Sequence, residues 1–350
     1  MQFDPGIRYQ CLQCGKSCRQ DWDVWVRPEL PAQVRKRYRE IFSTQSFPFE
    51  EVDGRWRMSR GEAGCVSLDS QSRCNIHSHL SYGEKPYRCQ QYPVLLVRTP
   101  DGVRVTGSYT CTAVLQGHGP ELAAQGTEIA TWLERPFFVS DVGNDLPWEE
   151  ARAQDHHFEE LLRKTGWESA LERILSGLVS GLRDSRTDHP VNWWKGYREL
   201  PIDLCSCLPW LLAALLKPCL RLVDKPGWEQ FDLSMLNDGP IQLEEFAYHG
   251  SLSEMLEWAT DRQSLCSDLD RYRYSLWFRQ QHLRCGGVLS GWLMLWAVGP
   301  LYRVLKELCG SHGALERIEL NLLGHTNLGE QVFPALARFW LDGQRQTVSS

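Results

Sequence analysis

Seven cysteines in the first third of the chain, Cys11, Cys14, Cys18, Cys65, Cys74, Cys89 and Cys111, have the spacings of a metal chelate. The first three read Cys-Leu-Gln-Cys-Gly-Lys-Ser-Cys. Two residues between cysteines let both sulfurs turn toward one ion, and Gly15 permits the tight backbone behind them. Thiolates are soft donors, so zinc or an iron–sulfur cluster suits them and calcium or magnesium does not. The 11–18 loop is too short to serve distant ions, so its three cysteines are expected to share one site. Spacing leaves open which of Cys65, Cys74, Cys89 and Cys111 completes that set. A tetrahedral zinc or a four-iron cluster takes four protein ligands. His77, at CxxH spacing from Cys74, is a further candidate ligand or a hydrogen-bond partner of a neighbouring sulfur. These donors suffice for two closed sites, or for one site with a remainder.

The elements that must hold these donors change character along the chain. Of 350 residues, 42% are hydrophobic and 23% charged, which is ordinary for a folded soluble protein. The expected architecture is α-dominated (α+β): a small, irregular, cysteine-rich metal-binding domain over 1–118 and a helical domain over 119–350, divided at Gly117-His118-Gly119-Pro120. Short strands are expected at Trp22–Val26, Arg55–Met58 and Val94–Val97, with a hairpin turn at Asp101-Gly102. A helix is expected from Pro28 to Arg39. Beyond Glu121 the apolar residues Phe158, Leu161, Leu162, Trp167, Leu171, Ile174, Leu175, Leu178 and Leu182 recur at helical steps. Further helices are expected at 209–217, 251–261, 270–284, 288–308 and 328–341, with Trp167, Trp210, Trp292 and Trp296 in their core. Residues 184–202 read as a connecting loop.

Net charge is −6, which makes no case for nucleic acid or an anionic surface as partner. Residues 1–118 carry 16 Lys/Arg against 12 Asp/Glu, so the acidity lies in the remainder. The amino terminus has neither a basic n-region nor an apolar h-region, so a cytoplasmic location with reduced thiols is expected. The apolar runs Leu204–Leu216 and Val288–Val298 fall short of the roughly 20 residues that cross a bilayer, so no membrane partner is expected.

The motifs continue as Cys65-Val66-Ser67-Leu68-Asp69, Cys74-Asn75-Ile76-His77, Pro86-Tyr87-Arg88-Cys89 and Gln90-Gln91-Tyr92-Pro93. Residues 8–115 thereby resemble the YkgJ-type cysteine-cluster family of zinc- or iron-chelating domains. That outline is CxxCGxCC, C-x-x-L-D, C-x-I-[YH] and P-x-x-C-x-x-[YF]-P. The related flagellin lysine-N-methylase family shares it and adds a later cysteine, where Ser108-Tyr109-Thr110-Cys111 stands, and a long helical C-terminal region. Ser17 departs from the outline by replacing the third opening cysteine. The longer gap from Cys74 to Cys89 is closer to the methylase branch. The resemblance implies an iron–sulfur (4Fe-4S) centre in preference to zinc, S-adenosylmethionine as methyl donor, and a lysine-containing protein as substrate. The alternatives are a non-catalytic zinc- or iron-binding interaction module and a redox or metal sensor.

No GxGxxG, GxxxxGK[ST] or HExxH motif occurs, and the radical S-adenosylmethionine order CxxxCxxC is absent. Cys205, Cys207, Cys219, Cys266, Cys285 and Cys309 are scattered and read as buried small hydrophobes. Arg271-Tyr272-Arg273-Tyr274 with Trp277-Phe278-Arg279 reads as an amphipathic helix, aromatics inward and arginines outward.

Overall fold

The computed structural model describes residues 1–20, 22–26, 48–79, 82–134, 139–142, 146–184, 204, 208, 212, 241–243, 248–261, 267–284, 288–320, 333 and 337. Helices and several small sheets are both present, so the chain is α+β. It divides into two compact units, Met1–Ser140 and Asp141–Ser350. The expected helices at Pro28–Arg39, 209–217 and 328–341, and the loop at 184–202, lie outside the described residues but for Leu212, Phe333 and Ala337, all helical and buried.

The first unit contains β1 (Gln2–Phe3), β2 (Trp25–Val26), β3 (Phe49–Val52), β4 (Arg55–Met58), β5 (Arg60–Gly61), β6 (Gly64–Cys65), β7 (Val94–Thr99), β8 (Gly102–Gly107) and, at its end, β9 (Val139–Asp141). β7 and β8 form the expected hairpin, in register from Val94↔Gly107 to Thr99↔Gly102. At its tip the Thr99 hydroxyl donates to Asp101 Oδ1 at 2.6 Å. β1 joins β8 in parallel and β9 flanks β7, giving the order β1-β8-β7-β9. The buried Asp4 carboxylate accepts from the Thr106 hydroxyl at 2.7 Å, fixing the start of the chain to this sheet. A second sheet, β2-β4-β3, turns through Asp53-Gly54, both at positive φ (50° and 72°), as a two-residue hairpin of right-handed twist requires. Its apolar face is small: Phe49 and Met58 with Ile76, against which Cys65 and Cys74 pack.

The first unit extends past the turn at Gly117-His118-Gly119-Pro120 because the chain folds back there. Tyr9 N–H donates to Pro120 O at 3.0 Å and Leu122 N–H to Ile7 O at 3.1 Å. Helix Gly126–Trp132 then buries Ile129 and Trp132.

In the second unit, helix Trp148–Asp184 is interrupted at Gly166 (φ 76°), and helix Val288–Ile318 at Gly310 (φ 74°). Helix Val288–Ile318 packs against helices Leu252–Thr260, Ser267–Phe278 and Trp148–Asp184 and the turn Gln281–Arg284. By length and composition it is apolar enough to cross a membrane, but 94% of its most apolar window is buried inside the protein. Ser251 caps helix Leu252–Thr260, its hydroxyl accepting from Glu254 N–H at 3.2 Å. Trp292 and Trp296 are buried as expected; Trp167 is half-buried, and Trp210 lies outside the described residues. The unit also contains a hairpin, Ile241–Leu243 with Tyr248–Gly250, between two of the expected helices of the domain expected to be helical.

The helix expected at 288–308 is present as Val288–Ile318 and runs through Gly299-Pro300, where the apolar run ends. Pro300 has no N–H to offer Trp296 O, and the Arg273 guanidinium donates there instead, at 3.3 Å. A Cβ on Gly299 would lie 1.9 Å from that guanidinium, so the glycine makes its slot. One expectation for this unit is corrected: in the basic–aromatic stretch Arg273 and Arg279 point inward, while Arg271 is half-buried. Arg273 is 1% exposed and, with Arg303, donates to Glu168 Oε1, each at 3.0 Å. Arg279 makes a two-point contact with Glu319, 2.9 Å on each oxygen, and the Tyr272 hydroxyl donates to Glu319 Oε2 at 2.7 Å. Burial alone would push the Glu168 carboxyl up; Arg273 and Arg303 overcome it and hold the group below the usual carboxylate range.

Candidate metal centre

Five segments bring the seven cysteines into the first unit. In the opening loop Gln13 and Gly15 both take left-handed φ (51° and 66°), curling the backbone so that Gln13 N–H reaches Cys11 Sγ at 3.4 Å. A Cβ on Gly15 would lie 2.5 Å from Ser72 O, so this loop rests directly on the turn before Cys74. A single 3-10 turn, Ser17–Arg19, follows and carries Cys18. It lands on β6: a Cβ on Gly64 would lie 2.7 Å from Arg19 Cα and 2.8 Å from Cys18 O.

Cys65 ends β6, and Leu68 N–H donates to Cys65 O at 3.1 Å. Leu68 also bridges to Cys74, so the two cysteines bracket one tight turn. Asp69 builds that turn, its Oδ1 accepting from Gln71 N–H at 2.9 Å and Arg73 N–H at 2.8 Å. The Arg73 amide, aided by the Arg73 side chain and the Gln71 amide, holds the Asp69 carboxyl below its usual range against some desolvation. The aspartate of the C-x-x-L-D motif therefore positions two cysteines and is not itself a donor. Cys89 lies in helix Tyr87–Gln91, which is tied down by Gln90 Nε2 donating to Lys85 O at 2.6 Å and Gly83 O at 2.9 Å. Cys111 is buried at the start of helix Thr112–Leu115, just beyond the β7–β8 hairpin.

The eight described cysteines are all free thiols. Burial first, then Cys65 and Cys74, pushes the Cys18 thiol up to about 12, with Lys85 pulling the other way. Cys89 is raised by burial and by Cys65, Cys18 and Cys74, again opposed by Lys85. Burial and Cys74 raise Cys65, while the Ser67 amide and hydroxyl oppose. Cys111 is raised by burial and by Cys11 and Cys14, against the amides of Val114 and Ala113. Thiols that are buried together and repel one another when ionised have the electrostatic property that a bound cation relieves. The donor set thus fits a soft metal. Among the described residues, no three His, Cys, Asp or Glu side chains close on a single point.

Several neighbours of the thiols carry no sequence signal. Lys85 Nζ stands 5.3 Å from the centroid of the Tyr82 ring, and its charge reaches Cys18, Cys89 and His77. Tyr9 and Tyr82 are phenols raised chiefly by burial, with Cys11 contributing to both. His77 meets the Tyr82 ring edge-on at 5.7 Å; burial and then Lys85 hold its imidazolium below the usual range. Ser17, where the cysteine-cluster outline has a sulfur, donates to the Tyr92 hydroxyl at 2.7 Å. Tyr92 in turn meets Thr110 Oγ1 at 2.9 Å, and Thr110 meets Ser108 Oγ at 2.9 Å. The sequence signal for this chain of hydroxyls is the Tyr92-Pro93 motif. Trp22 packs edge-on against Tyr92 at 5.3 Å.

In the second unit, Cys309 Sγ donates to Leu305 O at 3.1 Å, the ordinary contact of a helical thiol. Cys205, Cys207, Cys219, Cys266 and Cys285 lie outside the described residues. Comparison with known proteins finds no matching family model, curated protein or solved structure.

Proposed function

We propose that the first unit is a cysteine-ligated metal-binding domain, iron–sulfur in preference to zinc, and that the chain is a protein lysine N-methyltransferase similar to flagellin lysine-N-methylase. The observation that carries the metal reading is the gathering of seven reduced thiols from five segments, with their charges in mutual reach. The methyltransferase reading rests on the motif resemblance and on the helical residues that follow. When bound, the metal centre would supply Lewis acidity or electron transfer and part of the domain's folding energy.

The chain's own residues have definable tasks in this reading. Cys11, Cys14, Cys18, Cys65, Cys74, Cys89 and Cys111 bind the metal. Lys85 offsets the negative charge that accumulates on Cys18 and Cys89 as they ionise. Tyr9, Tyr82, Tyr92 and Trp22 exclude water from the sulfurs' surroundings. Gly15, Gly64 and Asp69 hold the backbone that presents the thiols. Methylation of a lysine forms an N–C bond as the donor's S–C bond breaks, so the lysine must first give its proton to a base.

Two measurements on anaerobically purified protein test the reading. Iron and acid-labile sulfide should be present in stoichiometric amounts; stoichiometric zinc without sulfide reverses the choice of metal. Incubation with methyl-labelled S-adenosylmethionine and lysate from cells lacking the gene should label protein lysines. The absence of any nucleotide-type glycine turn favours a second reading, a non-catalytic metal-binding interaction module. A metal-loaded protein that neither binds S-adenosylmethionine nor transfers label establishes that module instead.

A further inference from the structure

We infer that the helical unit holds an ammonium-binding site on Asp155, Gln280 and His282, and that its ligand is the side chain of the lysine to be methylated, with His282 Nδ1 taking the proton. This rests on the lysine methyltransferase reading and deepens it, by naming where the lysine sits and which base it meets.

Backbone geometry gathers the three residues. Asp155 lies in helix Trp148–Asp184. Gln280 takes a left-handed φ of 57°, turning the chain sharply between helix Ser267–Phe278 and the turn Gln281–Arg284. Gln280 and His282 thereby meet opposite oxygens of one carboxylate. Gln280 Nε2 donates to Asp155 Oδ2 at 2.8 Å, and His282 Nε2 stands 3.4 Å from Oδ1. Trp277 Nε1 also donates to Oδ1, at 2.8 Å. The His282 ring lies 4.9 Å from that of Trp292, and Trp292 Nε1 donates to Gln154 Oε1 at 3.3 Å. The contacts thus close in a ring on the residue next to Asp155.

Two observations mark this ring as unfinished. The first is missing counter-charge. Glu168 has two arginines and Glu319 has one, whereas Asp155, 4% exposed, meets no arginine or lysine among the described residues. The second is open valence. Gln280 Oε1 and His282 Nδ1 are buried without a hydrogen-bond partner, although buried polar atoms are ordinarily paired. With its N–H on Nε2, facing the carboxylate, the imidazole keeps a lone pair at Nδ1. Asp155 Oδ2 accepts one bond and has room for another. Three acceptors about one negative charge match the three N–H donors of an ammonium group. Gln154 Nε2 is an open donor as well and takes no part in holding a cation. Trp277, Trp292 and Trp167 surround Phe158, with ring centroids 5.8, 4.9 and 5.6 Å from it, and such aromatic walls favour organic cations. Of the three side chains on Asp155 only Trp277 is half-buried, so a ligand enters past its ring.

The same arrangement supplies the base that methylation needs. The lysine ammonium gives one proton to His282 Nδ1, and Asp155 holds the imidazolium through Nε2, a contact expected to shorten as charge develops. Rotation about Cε–Nζ turns the freed lone pair outward. The N–C bond forms as the donor's S–C bond breaks, and the positive charge passes from sulfur to nitrogen. His282 then releases its proton to water.

The test measures calorimetric binding of Nα-acetyl-lysine amide to the full-length, anaerobically purified protein, with the norleucine analogue, which lacks the ammonium, as control. Wild type should bind the lysine probe and bind the norleucine probe about 30-fold or more weakly, the usual effect of removing one partner of a buried charge pair. Asp155→Asn should lose lysine binding by the same factor and leave norleucine binding unchanged. His282→Gln should keep lysine binding within a few-fold while kcat for labelled methyl transfer falls about 100-fold or more. Circular dichroism checks each fold. If Asp155→Asn does not fold, a diazirine analogue of the lysine probe decides in wild type: its cross-links should map to 154–158 or 277–282. Equal binding of the two probes, no binding, full binding by Asp155→Asn, or cross-links elsewhere overturns the site. Methyl transfer at the wild-type rate in His282→Gln overturns its role as base and leaves the methyltransferase reading standing. Asp155-dependent lysine binding with no methyl transfer keeps the site and overturns that reading.

Discussion

The cysteine-bearing segment and the helical unit solve the problem of polar groups in opposite ways. The helical unit buries full charges and supplies their partners itself: Glu168 between Arg273 and Arg303, and Glu319 against Arg279 and Tyr272. The cysteine segment places thiols that repel one another over a small apolar cluster and offsets them with Lys85 and, at Cys65, Arg60. For these two carboxylates one region supplies its own counter-charges; under the proposed function the other would receive its counter-charge from a bound cation. This comparison teaches where each should fail.

Metal removal should have the largest effect and should strike one side only. Treating the full chain with a chelator should abolish hydrogen-exchange protection over 48–79 while leaving helix Val288–Ile318 unchanged. A structural thiolate centre contributes on the order of 10 kcal/mol, more than this segment's apolar cluster can replace. Equal loss of protection in both regions would erase the contrast.

Next in size is a broken buried pair. Glu319→Ala leaves the Arg279 charge buried and unpaired, so the helical unit should lose about 3–5 kcal/mol in urea unfolding. The paired replacement Arg279→Met/Glu319→Leu should recover most of it, because neither charge is then left behind. Glu319→Ala should leave metal content unaltered.

Two glycines sharpen the comparison at the level of backbone approach. A Cβ on Gly291 would lie 1.9 Å from His282 O, so Gly291→Ala must push helix Val288–Ile318 off the Gln281–Arg284 turn. Calorimetry should show a loss of about 1–3 kcal/mol, the usual cost of overpacking. Gly15→Ala meets Ser72 O in the cysteine segment and must adopt φ near 66°, so its readout is metal content, which should fall.

The smallest expected effects are those of pH, and they carry opposite signs. Glu168 lies below its ordinary value of 4.5 when folded, so its contribution is present above that value. It is lost as pH falls through the lower folded pKa. Cys18 is raised from 9.0 to about 12, so in metal-free protein its contribution is present below pH 9 and is lost as pH rises toward 12. Circular dichroism against pH should show an acid limb for the helical unit. The alkaline limb should belong to the metal-free cysteine segment and disappear when metal is bound.

How much of this was legible in the sequence depended on range. β4 at Arg55–Met58 coincides with the expected strand, because the turn residues and alternation that define it are contiguous. The β7–β8 hairpin followed from Val94–Val97 and Asp101-Gly102 for the same reason, and the helix expected at 251–261 runs from Leu252 to Thr260. Strand β9 escaped notice because its three residues have no period of their own and pair only with a distant neighbour. Lys85 escaped notice at the site because a single lysine between two motifs looks like any solvated surface charge.

By itself the sequence determined the chemistry on offer: soft sulfur donors at chelating spacing, a tight turn at Gly15 and a strand-forming run at Val94. Each is a property of residues within a few positions of one another. Tertiary structure alone decided which cysteines are neighbours, why Ser17 is bound to Tyr92, and which group serves the Trp296 carbonyl that Pro300 leaves without an N–H. It also decided that Arg273 and Arg279 turn inward. Their carboxylate partners lie 105 and 40 residues away in the chain. The cost of burying a guanidinium depends on whether such a partner is already there, and no local pattern encodes that.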